Sequence, residues 1–283
     1  METQPPKPPQ HKTEKKSYDS NPFTLSFDAL GRFFTHNVNW AIALIVLGVL
    51  GMFSRAGGNL ISGYHGTPTT PGYGQELGGS TSPEVVTIVA IVIVVFVIAL
   101  TLIVAMTVIA TFLQGMFSYV ALRSEAGESV SFSEAFNETT SRFWRLLGAQ
   151  LLAILKIIGW GLLFIVPGIV AALKYSILPY SIMSAPKDEK GVSLAHAKVK
   201  AITKGRLMEV FGVAAIGFII PLVGSILTLT GNAAIYNQLN YYYENKLEKP
   251  KVHWLNYAGF FLLVLLLIPA LILLGLLAFL SRH

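Results

Sequence analysis

The chain has 283 residues, of which 53% are hydrophobic and only 13% are charged; its 21 basic and 15 acidic residues give a net charge of +6. Soluble domains carry about 25% charged residues, so this composition excludes an ordinary soluble globular protein. The apolar residues lie in long blocks without the short alternating strands of a membrane β-barrel, which predicts an all-α integral membrane protein.

The excess of positive charge fits a membrane protein better than a nucleic-acid-binding protein. Basic residues of membrane proteins concentrate in cytoplasmic loops, where they face an anionic leaflet. The chain has no cysteine, which excludes disulfides, thiolate metal sites and cysteine nucleophiles. We therefore expect the lipid bilayer and its anionic headgroups as partners, and no nucleic acid.

Residues 1–21 form a basic, Pro-rich tail with almost nothing apolar to bury, which predicts a disordered segment. The first long apolar run begins near Asn39, later than the apolar core of a secretory signal, so we expect a retained anchor. The positive charge of the tail predicts a cytoplasmic N-terminus in the plasma membrane. A single helical membrane domain is expected over residues 22–283.

Two membrane helices are predicted in the first part of this domain. Residues 22–34 space four apolar side chains on one helical face, which predicts a helix lying in the membrane interface. The first span follows over residues 38–53, and the second, rich in Val and Ile, over residues 85–113. Between them, residues 54–84 are rich in Gly, Ser, Thr and Pro and predict a flexible external loop.

The central feature of the sequence is the apolar stretch 143–183, which is far longer than the roughly 20 residues one helix needs to cross a bilayer. Gly159, Gly161 and the pair Pro167–Gly168 interrupt it. Because Gly and Pro punctuate helices, the stretch predicts a membrane helical hairpin that reverses at Pro167–Gly168 on the outer side.

Charged amphipathic helices are predicted on both sides of this hairpin, and both should lie on the cytoplasmic face. The first, residues 131–145, opens with the capping-box spacing of Ser131 and Glu134. The second lies in residues 186–208, the segment with the densest positive charge, where His196 is expected on the same stripe as the lysines. We predict that its cations bind anionic lipid headgroups or a protein partner: Lys198, Lys200, Lys204 and Arg206.

Residues 207–245 leave two alternatives open. They form either one span with an external tail or a second hairpin that turns at residues 221–224, and we prefer the hairpin because the basic residues after it then return to the cytoplasm. The last span is predicted over residues 255–280, with Pro269 kinking it. The total is six to seven membrane helices arranged around helical hairpins, with interfacial amphipathic helices.

Lys156 is the one ionisable residue predicted near the middle of a span. It follows Arg145 on the same helix by about 16 Å at a rise of 1.5 Å per residue. A charged group at that depth is costly and is a functional candidate. The alternative is a shallow hairpin in which Lys156 reaches the interface, and its candidate partners are freed carbonyls, Gln150, Asn232, a lipid phosphate or water.

Four short motifs follow one another in an order that resembles a known family. They are residues 131–135, residues 162–169 with their Pro–Gly turn, the Tyr- and Pro-containing exit at residues 175–180, and residues 193–206. Their order is similar to that of bacterial uncharacterised polytopic membrane proteins grouped with the membrane domain of glycerophosphodiester phosphodiesterase. The resemblance implies a helical membrane fold; in the phosphodiesterase the chemistry belongs to a separate soluble barrel domain.

The sequence carries no catalytic, cofactor or metal motif that we can assign. The six histidines form no metal-ligand spacing, and there is no nucleophile elbow, zinc-protease motif or P-loop. We therefore predict a non-enzymatic membrane scaffold that interacts with lipid, with a protein partner or with further copies of itself. The alternative is a transporter or permease with a cavity between the hairpins near Lys156.

Overall fold

A computed structural model describes residues 18–61, 83–189, 191–220 and 223–280. In these residues all the regular secondary structure is helical, with no strand. The predicted tail up to residue 17 and the central part of the predicted loop, residues 62–82, lie outside the described residues. The helices are α1 (Pro22–Ile61), α2 (Pro83–Glu125), α3 (Phe132–Leu163), α4 (Ile165–Ser176), α5 (Leu178–Met183), α6 (Val192–Ile202), α7 (Leu207–Ile219), α8 (Gly224–Glu244) and α9 (Leu255–Leu280).

The first helix is bent once, at Asn37, whose φ of −137° and ψ of 45° are not helical. The bend falls between the predicted interfacial helix and the predicted first span. Beyond it α1 continues to Ile61, so residues 54–61, which were predicted as part of the flexible loop, are helical. The helix extends because no proline interrupts it there and each added residue contributes one further backbone hydrogen bond.

Three stretches of the described residues are long and apolar enough to cross a membrane. They are Thr87–Glu125, Phe132–Leu163 and Ile165–Met183, and Leu207–Ile219 is a shorter apolar helix. The protein is thus all-helical and suited to membrane association. Three such helices are fewer than the six to seven predicted.

The central apolar stretch breaks at Phe164, earlier than the predicted Pro167–Gly168. Phe164 is extended, with φ −155° and ψ 133°, and separates α3 from α4. Pro167 lies in the first turn of α4, where a missing N–H costs nothing, while its ring would clash with the Leu163 carbonyl if α3 continued. The proline therefore ends the preceding helix rather than occupying the break itself.

The chain returns along α3 after this break. A Cβ added to Gly168 would lie 2.8 Å from the Cα of Gly161, so α4 packs directly against the end of α3. Near the start of α3, Arg142 donates two hydrogen bonds to the carbonyl of Ala185, at 3.2 and 3.0 Å. The segment after α5 therefore lies beside the beginning of α3, while α4 lies beside its end.

Residues 207–245 contain two helices, α7 and α8. The two helices approach closely at glycines: a Cβ on Gly217 would lie 2.6 Å from the Gly224 carbonyl oxygen, and one on Gly231 would lie 2.6 Å from a methyl group of Val213. Pro221, in the predicted turn, lies outside the described residues.

The hydrophobic core lies at one end of α2. Side chains of α1, α2, α5 and α8 meet there and are fully or almost fully buried; they include Phe33, Met116, Ile182 and Tyr236. By contrast, residues 87–106 of α2 are exposed without exception. The molecule therefore has a packed body, and the exposed apolar part of α2 extends beyond it.

Candidate functional site

Lys156 lies where α3, α4 and α6 meet. Its Nζ is 3.4 Å from Nδ1 of His196 and 5.5 Å from the centre of the Tyr175 ring. The Tyr175 and His196 rings pack edge to face with centroids 4.9 Å apart. We call these three residues the Lys156 cluster. Each comes from a different helix, so tertiary packing alone brings them together.

The contacts of His196 fix the position of its proton. Nε2 lies 3.0 Å from the carbonyl oxygen of Ala149, which can only accept, so Nε2 carries the hydrogen and Nδ1 is free to accept from Lys156. Burial lowers the pKa of His196, and the Lys156 charge lowers it further, against the opposing hydrogen bond to Ala149. The imidazole is therefore neutral at pH 7.

His196 lies on the buried face of α6, which differs from the exposed stripe predicted for it. It is buried together with Ala195 and Val199, whereas Lys200 is exposed. The reason is that α6 packs on α3, which brings Ala149 and Lys156 against the histidine. His196 lies at the border between the apolar and polar faces of α6, and the periodicity of one helix does not show whether a neighbouring helix will cover a residue at that border.

Neither side chain considered as a partner of Lys156 from sequence, Gln150 or Asn232, forms a hydrogen bond with it. Gln150 donates to Gln114 at 2.7 Å and lies 3.2 Å from the Thr111 hydroxyl. Asn232 is buried in α8. The observed partner, His196, was not among the predicted ones because it lies far along the chain in a segment expected at the cytoplasmic surface.

The four predicted headgroup-binding cations have different surroundings. Lys198 is half-buried and pairs with Glu244 at 3.1 Å; burial lowers its pKa, but Tyr236 and Glu244 raise it more, so the net pKa is raised. Lys200 and Lys204 are exposed, and their side chains make no hydrogen bond or ion pair with any described residue.

Arg206 departs from the surface position predicted for it. It is only 9% exposed, its Nη1 donates to Glu209 at 3.1 Å, and its guanidinium carbon lies 5.7 Å from the centre of the Tyr18 ring. Gly205, with a φ of +72°, turns the chain immediately before it and directs it inward at the start of α7. The exposed basic surface is therefore Lys200 and Lys204, without Arg206.

Two cavities lie away from these residues. One, of about 560 Å³, follows the bend of α1 and is lined by Asn37, Trp40, Leu113 and Phe132, among others. The other, of about 10 Å³, lies beside Tyr18 and Glu209. Neither is lined by Lys156. Among the described residues, no group of three His, Asp or Glu side chains could hold a metal ion.

Comparison of the chain with protein-family models, with curated proteins and with solved structures finds no match. The resemblance to the phosphodiesterase membrane domain accordingly stays a prediction from short motifs. What the geometry itself offers is cationic chemistry: an exposed lysine pair on and just beyond α6, and a half-buried ammonium in the Lys156 cluster.

Proposed function

We propose that the protein is a non-enzymatic, multi-pass protein of the plasma membrane that binds anionic lipid headgroups through Lys200 and Lys204 on its cytoplasmic side. The observation that carries this proposal is that both lysines are exposed and make no ion pair with a described residue. Most of the half-buried and buried cations instead pair with carboxylates, as Lys198 does with Glu244 and Arg206 with Glu209. Lys200 and Lys204 thus remain available for an external anion.

The exposed part of α2 supports a membrane location. Residues 87–106 are exposed throughout and apolar apart from Thr87 and Thr101, and at 1.5 Å per residue they extend about 30 Å. That length equals the thickness of the hydrocarbon core of a bilayer, about 30 Å. In our proposal this stretch faces lipid, which removes the cost of exposing it to water.

The proposed topology has six to seven membrane helices. The part of α1 beyond Asn37 and then α2 cross the bilayer; α3 with α4 and α7 with α8 form helical hairpins, and α9 is the last span. The N-terminus and α6 lie in the cytoplasm. The motif resemblance to the phosphodiesterase membrane domain is consistent with a membrane domain of this kind.

The size of the lipid interaction follows from surface electrostatics. Each Lys or Arg near an anionic leaflet contributes about 1 kcal/mol. Two lysines therefore contribute about 2 kcal/mol, which corresponds to about a 30-fold change in an equilibrium constant. Because both side chains are exposed, salt should weaken the interaction strongly.

The experiment measures lipid preference in nanodiscs made of equal parts phosphatidylcholine and phosphatidylglycerol. We expect phosphatidylglycerol to be enriched around the wild-type protein, less so at high salt, and Lys200→Gln with Lys204→Gln to remove much of that enrichment. The comparison variant is Lys246→Gln with Lys251→Gln, which changes the net charge equally at two other exposed lysines. An equal loss of enrichment in both double variants would show a dependence on net charge and not on the two lysines of the α6 region. Equal enrichment in the wild type and the α6 double variant would reject the proposal.

The transporter alternative has less support. A transport site at Lys156 would need a cavity between the hairpins that reaches the ammonium, but neither cavity described above is lined by Lys156. We therefore retain the headgroup-binding function.

A further inference from the structure

We propose that the Lys156 cluster is a second anion site, which binds the headgroup phosphate of a single membrane lipid at the junction of α3, α4 and α6. The inference rests on the proposed function in one respect, that the chain lies in a bilayer. It is independent of Lys200 and Lys204, because these exposed lysines are not part of the cluster.

Lys156 has no carboxylate counter-charge among the described residues. Its ammonium is half-buried and, among the described residues, hydrogen-bonds only to His196. Most other half-buried or buried cations of the body have carboxylate partners, namely Glu125 for Arg32, Glu138 for Arg142, Glu189 for Arg145, Glu244 for Lys198 and Glu209 for Arg206. Of the others, Lys249 donates to the Ile202 carbonyl, and Lys174 forms no ion pair with a described residue. A partly desolvated ammonium without an anion is unfavourable, so a bound anion would stabilise it.

The Lys156 cluster has hydrogen-bond donors that no described residue uses. An ammonium has three N–H groups, and His196 accepts from one of them. His196 donates its own hydrogen to Ala149, so it orients the ammonium without competing for a ligand. The Tyr175 hydroxyl makes no hydrogen bond with a described residue, while its ring lies beside the ammonium. Lys156 and Tyr175 can therefore both donate to one phosphate.

Exposed apolar side chains beside Lys156 indicate the source of the phosphate. Leu155, next to Lys156 on α3, is 68% exposed, and Ile158, one turn beyond Leu155, is 53% exposed. These apolar side chains would contact the acyl chains of a lipid whose phosphate is held by Lys156. Inorganic phosphate would gain nothing from them, so the geometry points to the phosphate of a lipid.

The contact with His196 also sets the depth of the site. His196 belongs to α6, the helix that carries Lys200 and that we place at the cytoplasmic interface. An ammonium 3.4 Å from a side chain of that helix lies near the level of the headgroups and not at the centre of the bilayer. The Lys156 cluster therefore lies at the same depth in the bilayer as the headgroup phosphates.

The test counts lipids that stay bound after extraction. The full-length protein is taken from nanodiscs of equal parts phosphatidylcholine and phosphatidylglycerol into mild detergent, and retained phosphatidylglycerol is measured by native mass spectrometry. Loss of one charge-assisted hydrogen bond should weaken retention about tenfold or more in Lys156→Met. Lys156→Arg, which keeps the charge, should retain the lipid.

The control variant and the second probe make the outcome decisive. Lys200→Gln with Lys204→Gln should leave the retained lipid in place, so that the two proposals can fail separately. Inorganic phosphate added to lipid-free protein in detergent should not raise the unfolding temperature; stabilisation by it that disappears in Lys156→Met would overturn the assignment to lipid.

Two further results would also overturn the inference: undiminished retention in Lys156→Met, or equal loss in Lys156→Arg and Lys156→Met. Should Lys156→Met fail to fold, Tyr175→Phe replaces it. A folded Tyr175→Phe protein with reduced retention would support the site, and one with unchanged retention would reject it.

Discussion

The side-chain amide of Asn37 donates to the Ser124 hydroxyl at 2.7 Å, and this bond joins the bend of α1 to the end of α2. The same amide nitrogen donates to the carbonyl of Glu128 at 2.9 Å, and the amide oxygen accepts from the backbone N–H of Val130 at 2.8 Å. Trp40, one turn further along α1, donates from its indole N–H to the carbonyl of Val130 at 2.9 Å. The residue that interrupts α1 thus also holds the turn between α2 and α3.

Asn37→Ala should destabilise the protein by about 2–3 kcal/mol. The substitution removes three hydrogen bonds and leaves the buried N–H of Val130 without its acceptor, which costs more than the loss of an exposed bond. Thermal unfolding in detergent measures the effect. Asn39→Ala, at an exposed position two residues away, is the control and should change stability little. Equal unfolding temperatures for the two variants would contradict the assigned role of Asn37.

Arg206→Met should destabilise the protein by about 3–5 kcal/mol relative to the wild type, which is more than Asn37→Ala, because it leaves the carboxylate of Glu209 buried without its cation. Glu209 also accepts a hydrogen bond from Tyr18, which would then face an uncompensated charge. Adding Glu209→Leu should recover a large part of the loss, since removing both charges is less costly than removing one.

A double-mutant cycle on chemical unfolding measures this coupling between Arg206 and Glu209. Lys204→Met, at an exposed cation two residues before Arg206, is the control and should stay within about 0.5 kcal/mol of the wild type. Additive effects of Arg206→Met and Glu209→Leu would show that the two side chains do not form a pair.

Local sequence patterns predicted the kind of structure better than its contacts. Length and composition predicted an all-helical protein with membrane-length apolar helices, because these properties depend on residues close in sequence. The boundary between the interfacial helix and the first span fell next to the bend at Asn37. The predicted break at Pro167–Gly168 was displaced to Phe164, because a proline disturbs the turn before it and not its own position.

The contacts that define the site could not be read from the sequence. Lys156 meets His196 and Arg142 meets the carbonyl of Ala185 only because the chain returns along α3. Helical periodicity describes the faces of one helix and contains no information about which helix covers them. The burial of Arg206 is a partial exception, because Glu209 three positions later is a recognisable i,i+3 partner.

Gly168→Ala should disrupt the packing of α4 on α3. The added methyl group would lie 2.8 Å from the Gly161 Cα and 3.1 Å from its nitrogen, which are backbone atoms that cannot move aside as a side chain can. Overpacking of this kind costs about 1–3 kcal/mol. Gly159→Ala is the matched control, since a methyl group there meets nothing within 4 Å.

Thermal unfolding of the two alanine variants tests the close approach of the helices. Gly159→Ala should be neutral or slightly stabilising, because alanine is the better helix former by about 1 kcal/mol. An unfolding temperature for Gly168→Ala equal to or above that of Gly159→Ala would be incompatible with α3 and α4 in contact at Gly161.

The stability of the protein should fall in acid because of His196. Burial and the Lys156 charge hold the pKa of His196 in the folded protein below its ordinary value of about 6.5. Below pH 6.5 the unfolded chain therefore binds a proton that the folded protein does not bind. The contribution of His196 to stability is complete above pH 6.5 and is lost as the pH falls through the lowered pKa, with a slope of at most about 1.4 kcal/mol per pH unit.

Unfolding temperatures measured between about pH 8 and pH 5 test this dependence. Because other groups titrate in the same range, the informative quantity is the difference in unfolding temperature between the wild type and His196→Asn. This difference should change with pH only below about 6.5. Lys156→Met should reduce the acid sensitivity, since the ammonium contributes to the lowered pKa. Lys200→Gln, at an exposed position on α6, should leave it as in the wild type. A wild type and a His196→Asn variant that lose stability in parallel would mean that His196 takes up its proton as readily in the folded protein as in the unfolded chain.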